Sequence, residues 1–226
     1  MTGSSVQKVG AAAWFVIEGD LRYLSHRDTL RLWQRAAVRG GAPAAWSEGY
    51  NPHLRLSLPL PRSVGMAGEA ELLWLELSAV CTGEELSGRL GRGLGALAGV
   101  KVLGASVWSG VAEARPRRAR YRITLGPEAE VGAVRERLER FRGAARWPVR
   151  RAQRGRHPAR ELDVRAGVEE LRLEGESLEA TVRIEAEGTV RMDELLGALG
   201  LKEAGQVVEV RRLEADYGEA LKPPGR

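Results

Sequence analysis

The pattern of apolar and polar positions in the first half of the chain predicts alternating strands and helices. Residues 14–17 read as a strand, and Ser25-x-x-Asp28 resembles a capping box that begins a helix ending at Gly40. Thr82-x-x-Glu85 begins a second helix in the same way. Further strands are predicted over 54–58, 71–77 and 100–108. The element order is therefore β-α-β-β-α-β, which is the order of a ferredoxin-like fold.

The second half predicts the same order with one additional segment. A strand over 121–125 precedes a helix that begins at Pro127 and ends at Gly143, and a strand over 147–152 follows. Residues 168–173 and 178–186 form a predicted hairpin around a polar turn. A short helix over 192–199 and a last strand over 207–213 complete this half.

The order of elements predicts an α+β protein made of two tandem ferredoxin-like domains with antiparallel sheets. The two halves show no strong residue-level similarity, so the duplication is inferred from element order alone. Gly110, Glu113 and Pro116 interrupt the pattern, which predicts a boundary near them and domains over 1–112 and 113–226. The second domain is basic, and its tail over 222–226 is expected to be flexible.

Composition narrows the class of protein. Of the 226 residues, 43% are apolar, which is enough for a core, and the apolar runs are too short to cross a bilayer. The first residues do not resemble a signal peptide, so we expect a cytoplasmic protein without membrane contact. Cys81 is the only cysteine, and the three histidines are widely separated. A disulfide framework within one chain is therefore excluded, and we expect neither a metal nor another cofactor.

The net charge of +5 is unevenly distributed along the chain. Two arginine-rich segments, 115–122 and 146–165, hold 12 basic and 2 acidic residues, whereas the rest holds 23 basic and 28 acidic residues. Concentrated cations favour a phosphate-rich partner such as RNA, and the alternative is a solvated arginine-rich linker. The candidate RNA-contacting residues are Arg115, Arg117, Arg118, Arg120, Arg150, Arg151, Arg154 and Arg156.

A first polar block, over 19–28, lies where the first strand passes into the first helix. That position places Arg22 and His26 near the free N–H groups of a helix N-terminus, which favour an anion. Both side chains are therefore candidates for holding a phosphate or a carboxylate. In the alternative interpretation, Ser25 and Asp28 cap the helix and His26 packs beside them.

A second polar block, over 46–55, has the composition of a rigid turn, because Gly49 can adopt a positive φ and Pro52 restricts its neighbours. The alternative is a purely structural turn whose amide side chain bonds its own backbone. Whether the two blocks share one pocket stays open. The candidate RNA-contacting residues are Tyr50 for stacking on a base, Asn51 for a base edge, and His53 and Arg55 for a phosphate.

The two blocks resemble the radical-SAM-linked domain of unknown function. The matching run is G-D-L-R-Y-L-S-H-x-D at 19–28, then W-S-x-G-Y-N-P-H-x-R-x-S at 46–57 and L-P-L-P at 58–61, followed by Gly65. The clear match covers about 14–77, and 160–165 resembles a later motif of the family. The chain departs from the family pattern at Glu18, Arg27 and Leu54.

The resemblance implies a stand-alone form of a domain that is also fused behind a cobalamin-binding radical SAM region. It implies a radical SAM protein as a partner and a role in RNA processing or modification. The chain has no Cys-x-x-x-Cys-x-x-Cys cluster, so it cannot carry radical chemistry itself.

Three functions are compatible with these patterns. The first is an RNA-binding accessory protein that holds a structured RNA, such as tRNA or rRNA, for a radical SAM enzyme, with no specificity for DNA inferred. The second is a metal-independent endoribonuclease in which His26 or His53 is the catalytic general acid or base. Its basis is an analogy of fold with CRISPR repeat-cleaving ribonucleases, which use tandem ferredoxin-like domains. The third is an adaptor that binds a radical SAM protein through its loops.

Overall fold

The computed structural model describes residues 9–110, 114–151, 159–185, 188–218 and 221–224. The protein is α+β, as predicted. It divides into two compact units, of which the first comprises the chain up to Pro116 together with the residues from Asp216 onward. The second unit comprises Arg117–Ala215.

The sheet of the first unit contains β1 (Val9–Ile17), β2 (Leu56–Ser57), β3 (Ala67–Leu77) and β4 (Val100–Ser109). Strand β1 lies between β4 and β3, and the short β2 pairs with β3. All three pairings are antiparallel. Their register places alternate residues of β1 and β3 on the same face, so one face of the sheet is available for the helices.

Two capped helices lie on that face. In α1 (His26–Gly40) the Ser25 side chain accepts a hydrogen bond from the Asp28 N–H at 3.1 Å. In α2 (Gly83–Leu94) Thr82 and Glu85 form a reciprocal capping box. Both predicted helix starts are therefore confirmed, because the capping bonds depend only on residues three apart.

The core of the first unit lies between these helices and the sheet. Trp33 of α1 packs against Phe15 of β1, with ring centroids 4.7 Å apart, and both side chains are almost fully buried. Leu75 of β3 and Leu86 and Leu90 of α2 complete the same cluster. This burial holds α1 on the sheet and leaves its opposite face exposed.

Helices α1 and α2 meet at two glycines. A Cβ atom added to Gly93 would lie 1.8 Å from the Ala36 carbonyl oxygen, and one added to Gly40 would lie 1.8 Å from the Arg89 carbonyl oxygen. The two backbones are therefore too close for any side chain at these positions.

The sheet of the second unit contains β5 (Arg118–Leu125), β8 (Val168–Glu174), β9 (Ser177–Arg183) and β10 (Val207–Asp216). Their order in the sheet is β10-β5-β9-β8, with β5–β9 and β8–β9 antiparallel. Helix α3 (Val131–Gly143) buries Leu138 and Phe141. The remaining elements are β6 (Pro148–Arg151), β7 (Arg160–Asp163), α4 (Val164–Gly167) and α5 (Met192–Ala198). Strands β6 and β7 form a separate antiparallel hairpin.

Several elements depart from their predicted bounds: β1 begins at Val9 instead of residue 14, β3 at Ala67 instead of residue 71, and α3 at Val131 instead of Pro127. The strand predicted over 54–58 is reduced to the two residues of β2, because Leu54 instead forms an isolated bridge with Trp46. Strand β7 and the single turn α4 were not predicted, because β7 is mostly polar and is ordered by pairing with β6. Among the described residues, no helix is long and apolar enough to cross a membrane.

Candidate functional site

The arginines predicted on β5 occupy alternate positions, so they share one face of the second unit's sheet. Carboxylates of β8, β9 and β10 lie against them, at side-chain distances between 2.6 and 3.9 Å. This face therefore alternates in charge, and it lacks the cationic character that the sequence run predicts. The pairs are Arg118–Glu169, Arg120–Glu179, Arg120–Glu214 and Arg122–Glu179.

The other predicted arginines of this half are found in different settings. Arg115, Arg117 and Arg150 are exposed. Arg151 is largely buried and forms a two-bonded ion pair with Glu194, with both N···O distances at 2.6 Å. Arg154 and Arg156 lie outside the described residues.

The Arg151–Glu194 pair fastens β6 to α5. Burial by itself would raise the pKa of the Glu194 carboxyl, but hydrogen bonds from Arg151 and from the Arg191 N–H outweigh burial, so this pKa is lowered. The hydrogen bonds to Glu194 likewise raise the pKa of Arg151. Arg151 also donates to the Thr189 carbonyl oxygen at 2.9 Å, so its guanidinium is used within the protein.

The first polar block serves the start of α1. The Asp28 carboxylate accepts a hydrogen bond from the Ser25 hydroxyl at 2.6 Å, and this bond, followed by one from Arg31, lowers the pKa of Asp28. The Asp28 carboxylate is therefore held by Ser25 and Arg31 within the first turn of the helix. His26 is the first residue of α1 and is half-buried.

Arg22 lies in the 3-10 helix Gly19–Tyr23 that precedes α1. Its guanidinium donates a hydrogen bond to the Tyr23 hydroxyl at 3.0 Å and lies over the Tyr23 ring, 5.0 Å from the centroid. The Arg22 carbonyl oxygen accepts hydrogen bonds from Arg62 and from the Gly65 N–H. These contacts connect the first block to the segment before β3, so Arg22 has a structural role.

The second polar block is a loop closed by hydrogen bonds at its base. The Ser47 N–H donates to the His53 carbonyl oxygen at 2.8 Å, and the Ser47 hydroxyl oxygen accepts from the His53 N–H at 3.0 Å. The same hydroxyl lies 2.9 Å from Nδ1 of the His53 ring. Gly49 has a φ of 115°, as the sequence suggested, and Tyr50 at the tip is 99% exposed. Asn51 beside it is also exposed.

Arg55 lies just beyond the loop and is tied to β3. Its guanidinium is 3.2 Å from the Glu76 carboxylate, and the backbone groups of Arg55 bond to Ala45 and Glu76. Arg55 therefore helps to hold the base of the loop, and its charge is partly neutralised.

A groove of about 350 Å³ separates this loop from the C-terminal half of α1. Arg35, Val38 and Arg39 form its helical side, and Trp46 and His53 form its loop side. Trp46 is 55% exposed although it is a large aromatic residue. The groove therefore combines cations with an accessible indole ring.

Sequence reasoning missed the cations of α1. Arg27, Arg31, Arg35 and Arg39 recur every four residues and are all exposed, so they form a stripe that rises about 6 Å per step. Arg31 pairs with Asp28 at 3.1 Å, whereas Arg35 and Arg39 make no ion pair with any described residue. Their four-residue spacing indicates one face of a helix, but this pattern is hard to recognise in a sequence with many other arginines. We call Arg35, Arg39, Trp46, Tyr50 and His53 the α1–loop surface.

The two candidate catalytic histidines lie at different ends of α1. His26 begins the helix, whereas the groove beside His53 is lined by helix residues from Gln34 onward. Eight residues of helix correspond to about 12 Å along its axis, so the two histidines lie beside different parts of α1. Among the described residues, no group of three His, Cys, Asp or Glu side chains could hold a metal ion.

Fold and site together define a two-unit α+β protein with a candidate binding surface, the α1–loop surface, on its first unit. The chain belongs to the family DUF2344, described as uncharacterized proteins conserved in bacteria, whose profile matches residues 11–192. The match includes both polar blocks and most of the second unit. Among curated proteins, none matches the chain.

Proposed function

We propose that this protein is an RNA-binding accessory protein and that it contacts RNA through the α1–loop surface. The observation that carries the proposal is the position of Arg35 and Arg39, without ion pairs to described residues, across a groove from the exposed ring of Trp46. The same loop carries the exposed ring of Tyr50 at its tip. Cations of this kind contact phosphates irrespective of sequence, and aromatic rings stack on unpaired bases.

The chemistry of the surface favours an RNA loop over a regular duplex. Bases in a duplex are stacked on each other and cannot reach an indole or phenol ring, whereas bases in a loop can be splayed out. The hydrogen bonds at the base of the 46–55 loop keep Tyr50 and His53 on one rigid support. A structured RNA with an exposed loop, such as tRNA or a segment of rRNA, therefore fits the proposal.

We further propose that both units are variants of the ferredoxin-like fold. The strand orders β4-β1-β3, with β2 beside β3, and β10-β5-β9-β8 support this interpretation. The β6–β7 hairpin and α4 are then an insertion after the first helix of the second unit.

A radical SAM enzyme is the partner that we propose for this protein. The proposal rests on the resemblance of the two polar blocks to the radical-SAM-linked domain. In this scheme the α1–loop surface holds the RNA and the partner carries out the chemistry. The endoribonuclease and the adaptor are the alternatives that the following experiment also addresses.

The test measures binding of a tRNA transcript across a salt series. Replacing Arg35 and Arg39 together by alanine is expected to weaken binding about tenfold or more at low salt and to reduce the salt slope by about 2, because two phosphate contacts are lost. Tyr50→Ala should weaken binding about fivefold or more while leaving the salt slope unchanged, because a stacking contact is lost.

The matched control replaces Arg118 and Arg122, which are ion-paired in the second unit, by alanine. The control should bind nearly as well as the natural protein. An equal loss in the control, or no binding of the natural protein at low salt, contradicts the proposal. If the natural protein cleaves the tRNA into fragments and the His53→Ala variant does not, the result would instead support the endoribonuclease. Binding of a radical SAM protein without any RNA binding would support the adaptor.

A further inference from the structure

A second cavity, of about 420 Å³, lies entirely within the second unit between strand β6 and helix α5. Its volume is in the range of pockets that hold small organic ligands. The Arg151–Glu194 ion pair lines it, with only 12% and 11% of the two side chains exposed. This pair fixes the two elements that form the walls, so the cavity has a rigid frame.

The charged residues around the cavity favour an anionic ligand. Among the described residues, four cations and two carboxylates line it, which gives these side chains a net charge of +2. Because Arg151 and Glu194 neutralise each other, the excess comes from Arg150, Arg191 and Lys202, all of them exposed. Asp193 is the remaining carboxylate, and it can accept hydrogen bonds from ligand hydroxyl or amino groups.

Trp147 gives the cavity an aromatic wall. Its backbone N–H donates to the Asp163 carboxylate at 2.8 Å, and its ring packs against Phe141 with centroids 5.4 Å apart. The hydrogen bond from Trp147 is the main cause that lowers the pKa of Asp163, so Asp163 is a charged anchor for this residue. The indole is therefore held in place before any ligand arrives.

We propose that this cavity binds a nucleoside monophosphate unit. The base lies against Trp147, the phosphate contacts Arg150, Arg191 and Lys202, and Asp193 accepts from the ribose hydroxyls. Such a unit occurs both as a free nucleotide and as the phosphorylated end of an RNA chain. The proposal does not depend on RNA binding at the α1–loop surface, because all of the residues concerned belong to the second unit.

The first test uses calorimetry on the full chain with adenosine monophosphate, adenosine and inorganic phosphate at low salt. The nucleotide should bind at least about tenfold more tightly than either of its parts, because the base and the phosphate contact different groups. Replacing Arg150 and Lys202 together by glutamine should weaken nucleotide binding about tenfold, because charge-assisted hydrogen bonds are lost. Both side chains are exposed, so this variant should fold normally.

Trp147→Leu tests the aromatic wall. It should weaken binding of adenosine monophosphate and adenosine but leave binding of inorganic phosphate unchanged. Arg183→Gln is the matched control, since Arg183 is an exposed arginine of the same unit that is ion-paired away from the cavity. The control should bind the nucleotide as the natural protein does.

Three results would overturn the proposal: no nucleotide binding at millimolar concentration, equal binding of phosphate and nucleotide, or unchanged binding in the Arg150→Gln, Lys202→Gln variant. The two sources are distinguished by comparing adenosine monophosphate with an RNA oligonucleotide that carries a terminal phosphate. Tighter binding of the oligonucleotide means that the ligand of the cavity is the end of an RNA chain. Equal affinities mean that the ligand is the free nucleotide. The variant with alanine at Arg35 and Arg39 should keep its nucleotide affinity. The two proposals can therefore fail separately.

Discussion

Replacing Gly93 by alanine is expected to lower the free energy of unfolding by about 1–3 kcal/mol. The added Cβ would lie 1.8 Å from the Ala36 carbonyl oxygen and 2.6 Å from its carbonyl carbon. Both are backbone atoms of α1, so no side-chain rotation can relieve the contact, and the two helices must move apart. The core around Trp33 and Leu90 would then lose part of its packing.

Gly91, two residues earlier in the same helix, is the matched control. A Cβ at Gly91 meets no atom within 4 Å, so alanine there should raise stability by about 0.5–1 kcal/mol through its higher helix propensity. Urea denaturation followed by circular dichroism measures both changes. If Gly93→Ala were as stable as Gly91→Ala, the close approach of α1 and α2 would be wrong.

Replacing Glu194 by glutamine is expected to lower the free energy of unfolding by about 2–3 kcal/mol at neutral pH. The variant keeps the shape of the side chain but leaves the largely buried Arg151 guanidinium without a counter-charge. The cavity between β6 and α5 should become less rigid at the same time, because Arg151 and Glu194 connect its two walls.

The effect of Glu194→Gln should depend on pH. The pKa of Glu194 is lowered in the folded protein, so its stabilisation is complete above the unfolded pKa of about 4.3 and is lost as the pH falls through the folded pKa. Thermal denaturation should therefore show a constant difference between the natural protein and the variant from about pH 8 to 6, and a shrinking one below about pH 4.

Glu179→Gln provides the comparison for Glu194→Gln. Glu179 also pairs with arginines, but those arginines are about half exposed, so the loss should stay under about 1 kcal/mol. Equal losses in the two variants would mean that burial does not distinguish the two ion pairs. A larger difference at pH 4 than at pH 7 would contradict the lowered pKa of Glu194.

The order of the helices and strands other than β7 and α4 could be predicted from the sequence because its signals are local. The Ser25 and Thr82 caps depend on residues three positions apart, and the turn at Gly175 depends on four consecutive residues. The position of the second polar block in a rigid loop followed in the same way from Gly49 and Pro52. In each case the interaction partners are neighbours in the chain.

The charge distribution could not be predicted in this way. The arginine run of β5 reads as a cationic segment, but the carboxylates that neutralise it come from β8, β9 and β10, as far as 94 positions away in the case of Arg120 and Glu214. In contrast, the more dispersed arginines of α1 include Arg35 and Arg39, which pair with no described residue. Local charge density therefore does not reveal which arginines are ion-paired in the folded protein.

Apart from β7 and α4, the sequence by itself determined the order of the elements and the rigid loop of the second polar block, because caps, turns and apolar periodicity act over a few residues. Only the tertiary structure decided which arginines keep their charge available, which glycines are required, and that Trp147 borders a cavity. Those properties arise from atoms that strand pairing and helix packing bring together. Because these partners are distant in the chain, local composition does not indicate them.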